Sequence, residues 1–327
     1  MTSQPYKTIR WGIIGLGNIA HKFAKDLLTI KDAQLQAVAS RSIDKAREFA
    51  ETFQSIKAYD SYDTLAKDPD IDAVYIATPH SFHKAHAMLC LNHGKAVLCE
   101  KPFAMNLEEV QDMIALAKEK NVLLMEALWT YFLPHYQFAL TELKNETYGK
   151  LLKVEADFGF TRPFDESSRL FDKSVGGGSL LDIGIYPIFA TLSTLGEPEH
   201  IEATCTNFEN GADSTCDMLF KYSNNTEALL KSTLIEDTPT SCTFTCENGT
   251  ITLNTQFHAP TTVTISQNGQ ENILDYTGDT IGYNFETLHF NQLLREGKTE
   301  SDIMTFDFSL KLIKTLDKVR NLIHLEY

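Results

Sequence analysis

The segment that most constrains the fold is a short apolar run that leads directly into a glycine-rich turn. Ile9–Ile14 precedes Gly15-Leu16-Gly17-Asn18-Ile19-Ala20, and helical spacing continues to about residue 29. In this pattern the first glycine permits a tight turn, and the second lets a pyrophosphate approach the backbone. The small residue at the end keeps the new helix close to the strand. The helix N-terminus attracts phosphate, so the segment predicts a dinucleotide-binding unit. Its predicted cofactor contacts are Gly15, Gly17, Asn18 and Ile19.

The first 127 residues continue with alternating strand-like and helix-like segments. Strands are predicted near 34–40, 71–77, 96–99 and 122–125, and helices near 18–29, 44–53 and 81–92. Asn106 with Glu109 three residues later predicts the cap of one more helix. This alternation is typical of a doubly wound parallel sheet. We therefore expect an α/β Rossmann domain over residues 1–127 that binds NAD(P).

From residue 151 the pattern changes to short strands separated by turn residues. Strands are predicted near 151–161, 199–208, 214–222, 227–235, 240–246, 249–253 and 260–266, and helices near 281–296 and 304–325. This pattern predicts an α+β domain with a large, mostly antiparallel sheet over residues 128–327. We expect this domain to bind substrate and to form a homo-oligomer, a dimer or tetramer, and the last helix to pack on the Rossmann domain.

Composition excludes several classes of protein. A formal charge of −15 repels phosphate backbones, so nucleic acid is not an expected partner. No apolar run approaches the ~20 residues of a membrane span, and the N-terminus lacks a signal-peptide pattern. The six cysteines are scattered, which is typical of reduced thiols. A cytoplasmic protein without a membrane partner is therefore expected.

The end of the second strand indicates which dinucleotide is bound. An NAD site carries a carboxylate about 20 residues past the glycines, to bind the ribose 2′-hydroxyl. This chain has Ala39-Ser40-Arg41-Ser42 there instead. A hydroxyl and a guanidinium suit the 2′-phosphate of NADP, so NADP is predicted through Ser40 and Arg41, with NAD possible. The alternative is that Arg41 and Arg47 are solvated residues around a helix start.

Three further strand ends carry polar residues, namely Thr78-Pro79-His80, Glu100-Lys101-Pro102 and Glu126-Ala127-Leu128-Trp129. Ligands of open α/β sheets bind beyond the carboxyl ends of the strands. We therefore predict that Lys101 lies near the nicotinamide, aimed by Pro102 through a turn that can include a cis peptide bond. The alternative for Lys101 is a surface lysine paired with Glu100. The predicted cofactor contacts at these ends are Thr78, Pro79, His80, Glu100, Lys101 and Trp129.

A second cluster runs from Gly176-Gly177-Gly178 to Pro187. Asp182 and Tyr186 are four residues apart, so on a helix they share one face, and Pro187 should disturb the helix there. This pair is a candidate for catalysis. The alternatives are a capping box formed by Ser179 and Asp182, and a core role for Tyr186.

Other clusters favour structural roles. His80, His83 and His86 recur every third residue, but on a helix they would spread around the surface. Cys242 and Cys246 lack a second pair at zinc spacing and are expected to be packed thiols. No metal site is predicted.

Taken together and in this order, the glycine turn, the three strand-end motifs and the Gly176–Tyr186 cluster resemble the Gfo/Idh/MocA oxidoreductase family. The resemblance spans essentially the whole chain. The second half is most similar to the branch with dimeric dihydrodiol dehydrogenase and NADP-dependent D-xylose dehydrogenase. Many members carry Asp and His four apart, whereas this chain has Asp182 and Tyr186, as that branch does.

The resemblance implies hydride transfer between the nicotinamide and a secondary alcohol or hemiacetal of a sugar, polyol or dihydrodiol. Tyr186 is then the expected general acid/base, because a nearby ammonium from Lys101 favours its phenolate. Asp182 would orient the substrate or Lys101. Two alternatives share the fold: a non-catalytic NAD(P) sensor and an NAD-dependent glycoside hydrolase.

Overall fold

The computed structural model describes residues 7–327. Residues 1–6 belong to the predicted Rossmann domain and to the N-terminus that lacks a signal-peptide pattern, and they lie outside the described residues. Contacts divide the chain into two compact units. The first unit comprises the chain up to Trp129 together with Thr280–Ser309, and the second comprises Thr130–Asp279 and Leu310–Tyr327. The predicted functional division between residues 127 and 128 stays a prediction.

The first unit contains a parallel six-stranded sheet in the order β3-β2-β1-β4-β5-β6. Its strands are β1 Ile9–Ile14, β2 Ala33–Ala39, β3 Lys57–Tyr59, β4 Ala73–Ile76, β5 Ala96–Glu100 and β6 Leu124–Ala127. The central strands are buried, as the continuous apolar runs predict. Ile14 pairs with both Ala39 and Ile76, so the residues that follow β1, β2 and β4 lie at one edge. The doubly wound prediction is confirmed.

The helices of this unit are α1 Asn18–Leu27, α2 Ile43–Phe53, α3 Tyr62–Lys67, α4 His83–Asn92, α5 Leu107–Lys120 and α8 Tyr283–Arg295. Asn106 caps α5 as predicted, accepting from the backbone N–H of Glu109 at 3.0 Å. The start of α8 is held by Asp26, a residue of α1 that is 1% exposed. Its carboxylate accepts from the backbone N–H groups of Ile281, Gly282 and Tyr283 at 3.0, 2.7 and 2.8 Å.

The second unit is built on an eight-stranded sheet in the order β14-β13-β12-β11-β7-β10-β9-β8. Its strands are β7 Leu151–Gly159, β8 His200–Asn207, β9 Asp213–Lys221, β10 Glu227–Thr233, β11 Cys242–Cys246, β12 Gly249–Leu253, β13 Thr262–Gln267 and β14 Gln270–Asp275. Only β7 and β10 pair in parallel, which confirms the mostly antiparallel prediction. The β14 strand was not predicted, because almost all its residues are exposed and show no alternation.

Three more helices are α6 Pro134–Lys144, α7 Ile185–Leu195 and α9 Phe306–Leu322, and the division between the units falls within α9. A single π-helical turn, Leu180–Gly184, precedes α7. Pro187 in the first turn of α7 lacks an N–H, which fits the predicted disturbance of the helix. By length and composition alone, Lys173–Leu195 could cross a membrane, but 94% of its apolar window is buried inside the protein. It is therefore typical of a core helix.

Candidate active site

The turn after β1 is shaped by two glycines with different constraints. Gly15 has φ +86°, and a Cβ there would lie 2.8 Å from the carbonyl carbon and oxygen of Ala77. A Cβ on Gly17 would meet nothing within 4 Å, and Gly17 is the N-cap residue of α1, with no side-chain cap. Gly17 and Asn18 are exposed and Ile19 is half-buried. Open space beside uncapped helical N–H groups fits the pyrophosphate of a dinucleotide.

The tip of β2 carries the predicted 2′-phosphate contacts. Ser40 accepts from the backbone N–H of Ser42 at 3.3 Å, and Ser42 caps α2. Arg41 is exposed, and within residues 7–327 it forms no salt bridge or hydrogen bond. The positive charge of Arg41 acts to lower the pKa of Tyr62 and of His86, two residues that were not predicted to contact the cofactor. The structure thus presents a guanidinium without an acidic partner beside the glycine turn.

The residues after β4 form a buried hydrogen-bonded corner. Thr78 and His80 are 8% and 4% exposed, and Pro79 is half-buried between them. His83 bridges two strand ends, because its Nε2 lies 2.7 Å from the Thr78 carbonyl oxygen and its Nδ1 lies 2.9 Å from that of Pro102. Both ring nitrogens of His83 therefore face carbonyl oxygens. In the part of the chain that is described, no three metal-ligating residues come together.

The end of β5 places Lys101 beside buried carboxyl groups. The Lys101–Pro102 peptide bond is cis. Glu100, 6% exposed, accepts from the Tyr75 hydroxyl and, at 3.2 Å, from the Lys101 backbone N–H. Burial raises the pKa of Glu126 to about 7, and the nearby charge of Lys101 opposes that rise. Lys101 itself is half-buried. Lys101 therefore lies at a strand end near the carboxyl groups of Glu100 and Glu126.

Two residues of α8 interact with residues at the ends of β5 and β6, and neither was predicted from the sequence. Tyr283 stacks on Trp129 with ring centroids 4.5 Å apart and planes 3° apart. Glu286 is fully buried, and burial together with the charge of Glu100 raises its pKa well above the ordinary value. More than 150 residues separate α8 from these partners in the sequence, so no local pattern could have indicated the contacts.

In the second unit, the π-helical turn carries Asp182, and the first turn of α7 carries Tyr186. Asp182 lies 3.4 Å from Arg169. The Tyr186 ring contacts Phe158 and His258, with centroids 5.4 and 5.3 Å away, and those two rings lie 4.4 Å from each other. Both candidates are more than nine-tenths buried. His258 was not predicted, since nothing in its local sequence distinguishes it.

The capping-box alternative for Asp182 is wrong. Ser179 is itself helical, with φ −73° and ψ −38°, and forms no side-chain cap. Its hydroxyl donates to Asp213 at 2.7 Å. A Cβ on Gly178, which has φ +124°, would lie 2.0 Å from the Asp213 Oδ1. Asp213 therefore holds in place the glycine-rich segment that leads into the π-helical turn. Lys101 belongs to the first unit and the Asp182–Tyr186 pair to the second, so their joint catalytic role stays a prediction.

The fold and the glycine turn define a dinucleotide-binding protein with a second, sheet-based unit. The family model described as oxidoreductase family, NAD-binding Rossmann fold, matches residues 9–128. The model of the GFO/IDH/MocA C-terminal domain matches residues 136–252. The chain belongs to the Gfo/Idh/MocA family of oxidoreductases, as its motifs predicted. NAD(P)-dependent oxidoreduction is thereby confirmed as its class of activity.

Curated relatives and solved structures cover nearly the whole chain. Trans-1,2-dihydrobenzene-1,2-diol dehydrogenase of Xenopus laevis is 37% identical over 321 residues, which are 94% of this chain and 96% of that protein. The Homo sapiens protein of that name is 35% identical over 325 residues, 96% of this chain and 97% of its own. A 3-ketoreductase from Actinomadura kijaniata, solved with NADP and TDP-benzene, has a TM-score of 0.87 and 25% identity. It covers 97% of this chain and 98% of its own.

Proposed function

We propose that this protein is an NADP-preferring dehydrogenase whose substrates are small vicinal diols, such as trans-dihydrodiols or sugars. The observation that carries the proposal is the open glycine turn beside Arg41, a guanidinium with no acidic partner in residues 7–327. Such a group suits a 2′-phosphate, because guanidinium and phosphate form charge-assisted paired hydrogen bonds. The substrate class follows from the relatives, which are dehydrogenases of trans-1,2-dihydrobenzene-1,2-diol.

The cofactor contacts divide between the phosphates and the nicotinamide end. Gly15, Gly17, Asn18 and Ile19 are proposed to hold the pyrophosphate, and Ser40 and Arg41 the 2′-phosphate. Thr78, Pro79, His80, Glu100, Lys101 and Trp129 are proposed for the remainder of the dinucleotide. Residues 1–127 would then bind cofactor, while residues 128–327 would bind substrate.

The nicotinamide supplies the acceptor or donor of hydride when the cofactor is bound. In the oxidation direction, Tyr186 takes the proton of the substrate hydroxyl, while Lys101 donates a hydrogen bond to the same oxygen. The ammonium lowers the cost of negative charge on both oxygens. Asp182 orients the substrate, and its ion pair with Arg169 at 3.4 Å holds the carboxylate in place.

A homo-oligomeric, cytoplasmic protein is also proposed. One face of the eight-stranded sheet bears a groove of about 530 Å³, lined by Leu219 and Leu229 together with charged residues that include Glu155 and Lys231. Leu229 is 39% exposed, and we propose that a second subunit covers this face. Light scattering on the wild type and on Leu229→Glu tests this, because a shared interface predicts a shift toward monomer.

The function is tested by following reduced-nicotinamide absorbance with NADP or NAD and a panel of dihydrodiols, aldoses and polyols. Turnover with NADP on one class of vicinal diol is the expected result. Lys101→Met and Tyr186→Phe should lose ~10²–10⁴-fold in turnover while cofactor binding persists. Turnover with NAD at a much lower KM than with NADP would contradict the cofactor preference, and near-wild-type turnover in both variants would remove the two residues from the mechanism.

A further inference from the structure

A cluster of four polar side chains lies at the tips of β2 and β4, and two of them, Tyr62 and His86, are outside the cofactor contacts proposed above. Arg41 follows β2, Tyr62 begins α3, Thr78 follows β4, and His86 lies in α4. The ends of β2 and β4 flank the end of β1, because Ile14 pairs with Ala39 on one side and Ile76 on the other. The cluster is therefore beside the glycine turn, where the Thr78 methyl group would lie 2.8 Å from a Cβ on Gly15.

The His86 ring is held in one orientation by its neighbours. Its Nδ1 lies 3.1 Å from the Thr78 hydroxyl. The Tyr62 ring packs edge-on with centroids 4.7 Å apart, and the Phe82 ring lies nearly parallel at 5.9 Å. Across the described chain, no hydrogen bond engages the Nε2 of His86. The residue is half-buried, and Nε2 is the ring nitrogen left for a ligand.

The charges around His86 are all cationic or neutral. Burial, followed by the charge of Arg41, lowers the pKa of His86 to about 4. Burial raises the pKa of Tyr62, and Arg41 opposes that rise. Within residues 7–327, no carboxylate contributes to the charge that His86 experiences. At neutral pH the cluster thus contains one guanidinium and one neutral imidazole, with no anion among the groups that act on His86.

We propose that His86 is a second ligand of the NADP 2′-phosphate, beside Arg41, and that it binds this phosphate as the imidazolium. The proposal rests on the proposed use of NADP. A phosphate between the two side chains offsets the repulsion from Arg41 and offers His86 an acceptor, so binding draws a proton from solution. Affinity for a 2′-phosphate then falls as the pH rises through the pKa of His86 in the complex.

The proposal is tested by calorimetry with two nucleotides that need no turnover. Adenosine 2′,5′-bisphosphate carries the 2′-phosphate, and adenosine 5′-monophosphate lacks it. Titrations at pH 6 and pH 8, in buffers of different ionisation enthalpy, give both affinity and the number of protons taken up. The variants are His86→Gln and, as a matched control, His93→Gln, whose side chain lies at the end of the same helix and is 33% exposed.

The expected result is that His86→Gln weakens the bisphosphate about tenfold at pH 6, which is the scale of one hydrogen bond between charged groups. Its binding of the monophosphate should be unchanged, which shows that the variant is folded. The wild type should take up more protons with the bisphosphate than His86→Gln does. The phosphate itself titrates near pH 6, and comparison of the two proteins cancels that contribution.

Equal bisphosphate affinity and equal proton uptake in the wild type and His86→Gln would overturn the role of His86 and leave NADP use intact. Loss of both nucleotides in His86→Gln would also overturn it, because the residue would then support the adenosine rather than the phosphate. If the wild type bound neither nucleotide, the proposed function itself would fall.

Discussion

The phenol ring of Tyr283 lies parallel to the indole of Trp129, with centroids 4.5 Å apart and planes 3° apart. The backbone N–H of Tyr283 donates to Asp26 at 2.8 Å, so a carboxylate on the helix after the glycine turn fixes the ring that supports Trp129. Trp129 is one of the proposed cofactor contacts. The position of this contact therefore depends on a segment more than 150 residues away in sequence.

Tyr283→Leu should change the fluorescence of Trp129, because the indole loses an aromatic ring at stacking distance. The chain has only two tryptophans, and the other, Trp11, is fully buried and donates to Asn291 at 3.1 Å. A shift in emission without loss of the folded state is expected. Tyr283→Phe keeps the stacked ring and should match the wild type, and an identical spectrum in Tyr283→Leu would contradict the stacking.

The two glycines of the turn should respond in opposite ways to alanine. Gly15→Ala is expected to lower the free energy of unfolding by about 2–4 kcal/mol, because φ is +86° and the new Cβ meets backbone at 2.8 Å. Gly17→Ala should change it by less than about 0.5 kcal/mol, since nothing lies within 4 Å. Urea denaturation measures both.

Dinucleotide affinity provides the second measurement for these glycines. Gly17→Ala should weaken binding at least about tenfold, because its methyl group occupies the approach of the pyrophosphate. Undiminished affinity in a folded Gly17→Ala protein would mean that the phosphates bind elsewhere.

Glu126 should make stability depend on pH. Burial raises its folded-state pKa to about 7 from 4.5, so between these pH values the folded protein holds a proton that the unfolded chain has lost. Stability contributed by Glu126 is therefore full below about pH 4.5 and falls as the pH rises toward 7. Glu126→Gln should remove this decline, which is on the order of 3 kcal/mol.

Urea midpoints from pH 5 to pH 8 measure the effect of Glu126. Glu119→Gln, an exposed change on α5, is the matched control and should keep the wild-type slope. Glu100 and Lys101 also act on Glu126, so the slope of stability against pH is the quantity to compare. Parallel curves for the wild type and Glu126→Gln would show that Glu126 does not titrate in this range.

The ion pair between Arg169 and Asp182 should matter for substrate rather than for cofactor. Arg169→Gln removes a contact at 3.4 Å to a carboxylate whose side chain is only 11% exposed. We expect kcat/KM to fall about tenfold while NADP affinity stays unchanged. Arg162→Gln, at an exposed arginine over Phe160, is the control. An unchanged kcat/KM in Arg169→Gln would separate this ion pair from the proposed role of Asp182.

The sequence predicted those parts of the fold that are encoded locally. The β1 strand, the glycine turn and the Asn106 cap each depend on residues within a few positions, so their patterns were sufficient. The β14 strand was missed because an exposed edge strand needs no apolar alternation. Ser179 was open to a capping role because a serine three residues before an aspartate fits the motif, yet its hydroxyl donates to Asp213, 34 residues later.

The candidate site shows the same limit. Lys101 and Arg41 follow strands, so the sheet alone indicates which edge they occupy. His258 against Tyr186, and Tyr283 against Trp129, are contacts between distant segments that only tertiary packing creates. Such pairs leave no local pattern in a single sequence.

The three hydrogen bonds to Asp26 have a consequence for synthesis of the chain. The three N–H groups that satisfy this buried carboxylate belong to residues 281–283, so they leave the ribosome only after the six strands of the parallel sheet and the whole eight-stranded sheet have been made. A nascent chain can form its N-terminal sheet early. Until residues 281–283 have been made, however, the Asp26 carboxylate must remain hydrated, and one side of the parallel sheet stays accessible to chaperones and proteases.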